Sequence, residues 1–152
     1  MASHVIRPAR VDEGQALSDL ALRSKASWGY SLQLMRAFEA ELTLTALDLA
    51  EVLVVEIEGT PGGFYSLQPV SETRAEVGHL FVEPRLQRRG LGRLMIADAL
   101  RRARARRFQW LEIQGDPNAA QFYEHVGATR VGERESDSIP GRMLPLFEIA
   151  LR

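Results

Sequence analysis

The order of apolar and polar positions divides the chain into short blocks. "HVIRPA" reads as a first strand broken at Pro8. In "VDEGQALSDLALRSKA" the period changes: Leu17, Leu20 and Ala21 share one helical face, and Asp12 followed three residues on by Gln15 has the spacing of a capping box. A helix is therefore predicted from about Glu13 to Lys25, with Asp12 as its N-cap. Gly29 in "SWGY" interrupts the pattern. "SLQLMRAFEAEL" resumes it with Leu34, Phe38 and Leu42 at i, i+4 and i+8, and Thr45 with Asp48 caps a further short turn.

"EVLVVEIEG" is rich in β-branched residues, and "GFYSLQP" follows after "GTPG", so the two are expected to form a hairpin around that turn. "AEVGHLFVEP" is a further strand, ended by Pro84. From Gly90 to about Arg106, Leu91, Met95, Ala99 and Ala103 recur at four-residue steps with Ile96 and Leu100 beside them, an amphipathic helix with Arg93, Arg101 and Arg104 off the stripe. "WLEIQG" reads as a strand and "NAAQFYEHVG" as a short helix closed by Gly127. "ATRVGERE" and "LPLFEIAL" are two final strands around the loop "SDSIPGRM". The order is strand, two helices, a three-strand meander, helix, strand, helix, two strands. That order defines an α/β (α+β) domain with a mixed sheet and a right-handed β-α-β crossover around the arginine-rich helix.

Composition narrows the function. A chain of 152 residues, 45% hydrophobic and 26% charged, suits a single globular domain spanning residues 1–152. It has no cysteine, which excludes disulfides, thiolate metal sites and a Cys nucleophile. His4, His79 and His125 are far apart and form no H-x-x-x-H pair, so no metal is expected. "MASHVIRPAR" has no apolar core of a signal peptide, and no stretch approaches a membrane span; a cytoplasmic protein with no membrane partner is expected. The net charge of −1 argues against nucleic acid as a partner. Nine arginines nevertheless fall between Arg85 and Arg107 with only Asp98 against them, a local positive surface that favours a small anionic ligand over a long polyanion.

The loop ahead of the arginine-rich helix carries the most informative chemistry. A strand ends at Val82, and a helix begins at Gly90 directly after "QRR". The first turn of a helix presents unpaired N–H groups and the positive end of the dipole, so an anion docks there. Gly90 and Gly92 would let phosphate oxygens approach the backbone, and Arg88, Arg89 and Arg93 would add charge-assisted contacts. The loop is not G-x-x-x-x-G-K-[ST], because no Lys-Ser/Thr pair follows Gly92, and G-x-G-x-x-G fails at Met95. A plain helix start with solvated arginines is the competing reading of this stretch.

"QRRGLG" matches the Q-x-x-G-x-G signature of the GNAT superfamily of acetyl-CoA-dependent N-acetyltransferases, and the strand "HLFVEP" precedes it as in that family. "DPNAAQFYEHVGATRVGE" resembles the family's later motif, an Asn opening a helix and an aromatic pair before a Gly that starts the next strand. The element order is also the family's, from about Val5 to Leu151. The resemblance implies a GNAT fold: a mixed, mostly antiparallel sheet of about seven strands with about four helices, splayed around a cofactor cleft. It implies acetyl-CoA as cosubstrate, its pantetheine arm along Leu80, Phe81 and Val82 and its pyrophosphate over Gln87, Arg88, Arg89, Gly90, Leu91, Gly92 and Arg93. By the same resemblance Asn118 contacts the cofactor arm, and Tyr123 is the general acid that protonates the departing thiolate.

An ammonium has no lone pair, so attack on a thioester requires a base. By resemblance Glu76, eleven residues before Gln87, matches the base of the histone-acetylating branch. Glu112 resembles the base of the branch that acetylates ribosomal-protein N-termini, although one extra residue separates it from Asn118. Alternation along the strand puts Glu76 on one face and His79 on the other. Trp28, Tyr30 and Met35 at the helix break, His79, and Arg142 in the last loop are the candidate substrate contacts, Arg142 as partner of a substrate carboxylate. The expected reaction is acetyl transfer to a primary amine of a small molecule or peptide by direct attack. The alternative is a non-catalytic acyl-CoA-binding or regulatory module on the same fold. The final strands offer an edge through which two copies would form a homodimer.

Overall fold

The computed structural model describes residues 3–152. In chain order the elements are β1 (His4–Pro8), α1 (Gly14–Ala26), α2 (Leu32–Leu42), α3 (Ala46–Leu49), β2 (Val52–Ile57), β3 (Thr60–Pro69), β4 (Arg74–Val82), α4 (Leu91–Ala105), β5 (Trp110–Gln114), α5 (Ala120–His125), β6 (Thr129–Glu135) and β7 (Met143–Ala150). Single 3-10 turns, Pro84–Leu86 and Pro117–Ala119, precede α4 and α5. The seven strands form a sheet of order β1-β2-β3-β4-β5-β7-β6. The pairs β1–β2, β2–β3, β5–β7 and β6–β7 are antiparallel, whereas β4 and β5, joined through α4, run parallel. This is the mixed, mostly antiparallel sheet expected, and the fifth helix, α3, is the short turn closed by the Thr45–Asp48 capping box.

Two local expectations are corrected. The N-cap of α1 is Glu13, not Asp12, and its side chain makes no cap bond. Its carboxylate instead takes Arg7 in a bidentate pair, Nη1–Oε1 2.8 Å and Nη2–Oε2 2.7 Å, and accepts the Arg10 amide at 2.7 Å. Arg7 Nε also donates to Glu56 Oε1 at 2.7 Å, so a charged fork fixes the start of α1 against β1 and β2. The hairpin turn is not "GTPG" but Glu58-Gly59, both left-handed with φ of 53° and 82°. A two-residue turn needs that conformation twice to match strand twist, and Gly59 supplies it without strain. Gly63 is then strand, where a Cβ would lie 2.8 Å from the Phe81 carbonyl oxygen.

The chain packs as two compact units. The first comprises residues up to Ser66 with His79–Met95, the second Leu67–Gly78 with Ile96–Arg152. Leu17, Leu20, Phe38, Val54, Phe64, Tyr65 and Met95 fill the interior of the first; Val77, Ala99, Leu111, Ile113 and Phe147 fill that of the second. In the second unit Asp98 is buried on α4 and paired with Arg101 and Arg102, the latter at 2.7 Å. The arginine-rich helix thus carries an internal counterion. No described helix is long and apolar enough to cross a membrane.

Candidate active site

In the first unit the chain leaves β4 through a tight sequence of constraints. The Glu83 amide donates to Gly62 O at 2.8 Å, Pro84 starts the 3-10 turn, and Gln87 returns to extended backbone at φ −63°, ψ 153°. Arg88 (φ 64°) and Gly90 (φ 84°) are both left-handed, and α4 starts at Leu91. The Leu94 amide bonds Gly90 O at 3.0 Å; the amides of Leu91, Gly92 and Arg93 precede that bond and have no helical acceptor. A non-glycine residue in left-handed conformation costs on the order of 1 kcal/mol, and a left-handed residue beside a right-handed one is the backbone pattern in which successive N–H groups can converge on an anion. Arg88, Arg89 and Arg93 are exposed around these amides, and a Cβ on Gly90 would meet nothing within 4 Å. Open room over helix-start amides with positive side chains beside it fits a diphosphate.

The loop is also held from below by α1. Gln87 Nε2 donates to Ser27 Oγ at 3.2 Å, and Arg23 grips Glu83 through Nε–Oε1 (3.0 Å) and Nη2–Oε2 (2.8 Å). The Arg23 guanidinium holds the Glu83 carboxyl below its ordinary range. A carboxyl lowered in the folded state keeps its pairing above that range and loses it as pH falls through the folded value, so the tie is intact at neutral pH. Gln87 therefore acts as a strut. Leu80, Phe81 and Val82 lie half-buried at the end of β4, with Phe81 against Phe64 at 5.5 Å and the His79 ring 6.0 Å from Phe81 on the same face. The His79 amide donates to Ser66 Oγ at 2.8 Å.

The candidate substrate contacts of this unit do not form one wall. Tyr30 packs edge-on to Phe38 at 5.1 Å, with Lys25 Nζ above both rings, whereas Trp28 stands 46% exposed. Met35 lines an open groove of about 430 Å³ with Leu22, Ala26 and Leu32, and that lining includes neither aromatic residue.

In the second unit Tyr123 is buried on α5, between Phe122 (5.2 Å) and Phe147 (5.4 Å). Burial, and then the negative charge of Asp116, push its hydroxyl above the ordinary tyrosine range, so the phenol keeps its proton. Gly115 permits this position, since a Cβ there would lie 2.4 Å from Tyr123 Cε2. Gly115→Ala should therefore lower stability by roughly 1–3 kcal/mol through overpacking, read as a drop in urea midpoint at unchanged slope. Asn118 is oriented by Asp116, whose Oδ1 accepts both its amide N–H (2.8 Å) and its Nδ2 (2.9 Å). Arg142 Nη2 lies 3.8 Å from the other Asp116 oxygen, giving it an intramolecular carboxylate partner.

The register brings both candidate bases together. The parallel β4–β5 ladder runs from Arg74↔Trp110 to Val77↔Ile113 and sets Glu76 opposite Glu112; β5–β7 then sets Glu112 opposite Glu148. Like charges placed directly opposite repel, and two arginines offset the row. Arg74 Nη1 donates to Glu112 Oε1 (3.0 Å) and Glu148 Oε2 (3.1 Å). Arg134 Nη1 donates to Glu76 Oε2 (3.0 Å) and Gln114 Oε1 (3.3 Å). Gln68 Nε2 donates to the other Glu76 oxygen at 3.2 Å. Sequence reasoning missed Ser27, Arg74, Asp116, Arg134 and Glu148. Asp116 had a signal, an N-cap acid before a proline; the others depend on cross-strand register or tertiary packing.

The Acetyltransferase (GNAT) family model matches residues 16–128. A 5-NmdU N-acetyltransferase of Pseudomonas phage PaMx11 is 28% identical over 145 residues, covering 95% of this chain and 97% of that protein. Among solved structures, the PaiA N-acetyltransferase of Thermoplasma acidophilum in complex with coenzyme A superposes with a TM-score of 0.80 at 15% identity, over 97% of this chain and 99% of that one. A GCN5-related N-acetyltransferase structure from Rhodopseudomonas palustris gives 0.82 at 21% identity, over 99% and 98%. These two agree on the fold. The chain belongs to the GNAT acetyltransferase family. That membership makes it an acetyl-CoA-dependent acyltransferase.

Proposed function

We propose that residues 1–152 act as one catalytic domain that moves the acetyl group of acetyl-CoA to a primary amine by direct attack. The observation that carries the reading is the loop from Gln87 to Arg93, where two left-handed residues lead into the unpaired amides at the start of α4. Those amides would hold the pyrophosphate, and Asn118, fixed by Asp116, would contact the cofactor arm. Tyr123, kept protonated by burial, is suited to deliver a proton to the leaving thiolate. With no cysteine in the chain, no thiol intermediate is available.

Glu76 and Glu112, set opposite each other by the register, are the alternative acceptors of the amine's proton. Glu76, with both oxygens in hydrogen bonds to Gln68 and Arg134, is the first candidate. Glu76→Gln should lower turnover by about 100-fold, the low end of general-base contributions, and most strongly at lower pH where free amine is scarce. A pH–rate profile of both Gln variants checks this; the larger effect in Glu112→Gln would transfer the role.

The near end-to-end similarity to the phage enzyme makes 5-NmdU the first acceptor to assay, followed by a panel of primary alkylamines and peptide N-termini. The test is an acetyl-CoA titration followed by measurement of released thiol across that panel. Tight acetyl-CoA binding with no turnover on any amine would instead favour the non-catalytic acyl-CoA-binding module.

A further inference from the structure

We propose that Arg134 is a resident cation which the protonated acceptor displaces, so that the Glu76–Glu112 pair recognises a primary ammonium. The inference rests on the acetyl-transfer reading above and adds to it the chemistry by which the acceptor is selected.

The two arginines of the row are not equivalent. Arg74 bridges two carboxylates and lies over the Trp110 ring at 5.2 Å, so it is anchored on both sides. Arg134 comes from β6, whose residues are all exposed, and its own side chain is 43% exposed. Its charged bond goes to Glu76 at 3.0 Å, and its other nitrogen stops 3.7 Å short of Glu112 Oε2. That oxygen is shielded from solvent and receives no hydrogen bond from the described residues, and Glu112 as a whole is only 8% exposed. A buried carboxylate oxygen without a donor is a site lacking its partner.

The missing donor has a definable shape. A planar guanidinium presents its N–H groups in a fixed fork and here satisfies Glu76 at the expense of Glu112. A primary ammonium is a compact point charge with three rotatable donors, able to give one to Glu76 Oε2 and another to Glu112 Oε2. Exchanging the Arg134 guanidinium for an ammonium leaves the charge of the row unchanged, so the selection rests on donor geometry. The exchange sends Arg134 to solvent at little cost, because a half-exposed ion pair is weak. The same geometry puts the acceptor nitrogen on the carboxylates proposed to take its proton. It discriminates against quaternary ammonium, which carries no N–H.

Two measurements decide the matter. In the 15N-labelled protein with coenzyme A bound, n-butylammonium chloride is expected to shift the Arg134 Nε–H resonance saturably, and tetramethylammonium chloride to leave it unmoved. No saturable shift, or the same shift with both salts, overturns the proposal. Kinetically, Arg134→Gln should lower KM for the best amine of the panel by about two- to five-fold, the competing strength of one such ion pair, with KM for acetyl-CoA unchanged. Arg134→Lys, which keeps a competing cation, should show no such fall. Turnover with no fall in amine KM overturns the displacement while leaving acetyl transfer standing; ammonium binding with no turnover does the reverse. Should Arg134→Gln fail to fold, the resonance titration on the unaltered chain still decides.

Discussion

Tyr123→Phe is expected to lower kcat by about 100-fold or more, the range general acids contribute, while KM for acetyl-CoA changes little. The substitution removes one oxygen from a ring packed between Phe122 and Phe147 and leaves that packing in place. Because burial and Asp116 raise the hydroxyl's proton affinity, the phenol stays protonated through neutral and mildly alkaline pH, and the rate should show no decline there from tyrosine ionisation. Initial rates of thiol release with saturating acetyl-CoA measure both points. An unchanged kcat in the Phe variant removes Tyr123 from proton delivery and leaves it a packing residue.

The second large effect is expected at Gly90. Gly90→Val should weaken acetyl-CoA binding by about 100-fold or more, because two amide bonds to a charged phosphate are worth roughly 1.5–3 kcal/mol each. The position has φ of 84°, where a β-branched side chain is strained, so the backbone must turn away and take the helix-start amides with it. A Cβ there would meet no atom beyond its chain neighbours within 4 Å, so no clash adds to the backbone strain and the loss should fall more on ligand binding than on folding. Calorimetric titration with coenzyme A beside a urea melt separates the two. Equal affinity in the variant would mean that the loop amides do not carry the diphosphate.

The contrast between these residues explains how far the site was legible in the chain. Strands and helices were readable because each combines a clear hydrophobic period with punctuation by proline or glycine, as at Pro84 and Gly127. The glycine loop was readable because local backbone makes it. The start of α1 was misassigned because Glu13 answers to Arg7 and Glu56, partners that local spacing does not reveal. The hairpin turn moved from "GTPG" to Glu58-Gly59 because a glutamate tolerates a left-handed position that sequence rules reserve for Gly, Asn or Asp. Glu76 and Glu112 were both singled out, yet nothing in their spacing says that they are neighbours; that follows only from the parallel register, and Arg134 follows only from the β6–β7 pairing beyond it. Trp28, Tyr30 and Met35, within eight residues of one another, lie in three different surroundings once the helix break is folded.

The bonds from Ser27 and Arg23 to Gln87 and Glu83 make α1 and the glycine loop one mechanical body. Any tilt of the C-terminal end of α1 is then felt at the loop amides, and any tightening of the loop is felt along α1. Thermodynamic reciprocity fixes the consequence. Whatever factor an α1-contacting molecule imposes on cosubstrate affinity, the cosubstrate must impose on that molecule's affinity in turn. Three hydrogen bonds, two of them within one ion pair, thereby limit how independent the two binding events can be, and loosening them by Ser27→Ala with Arg23→Ala would bring the two isotherms toward additivity.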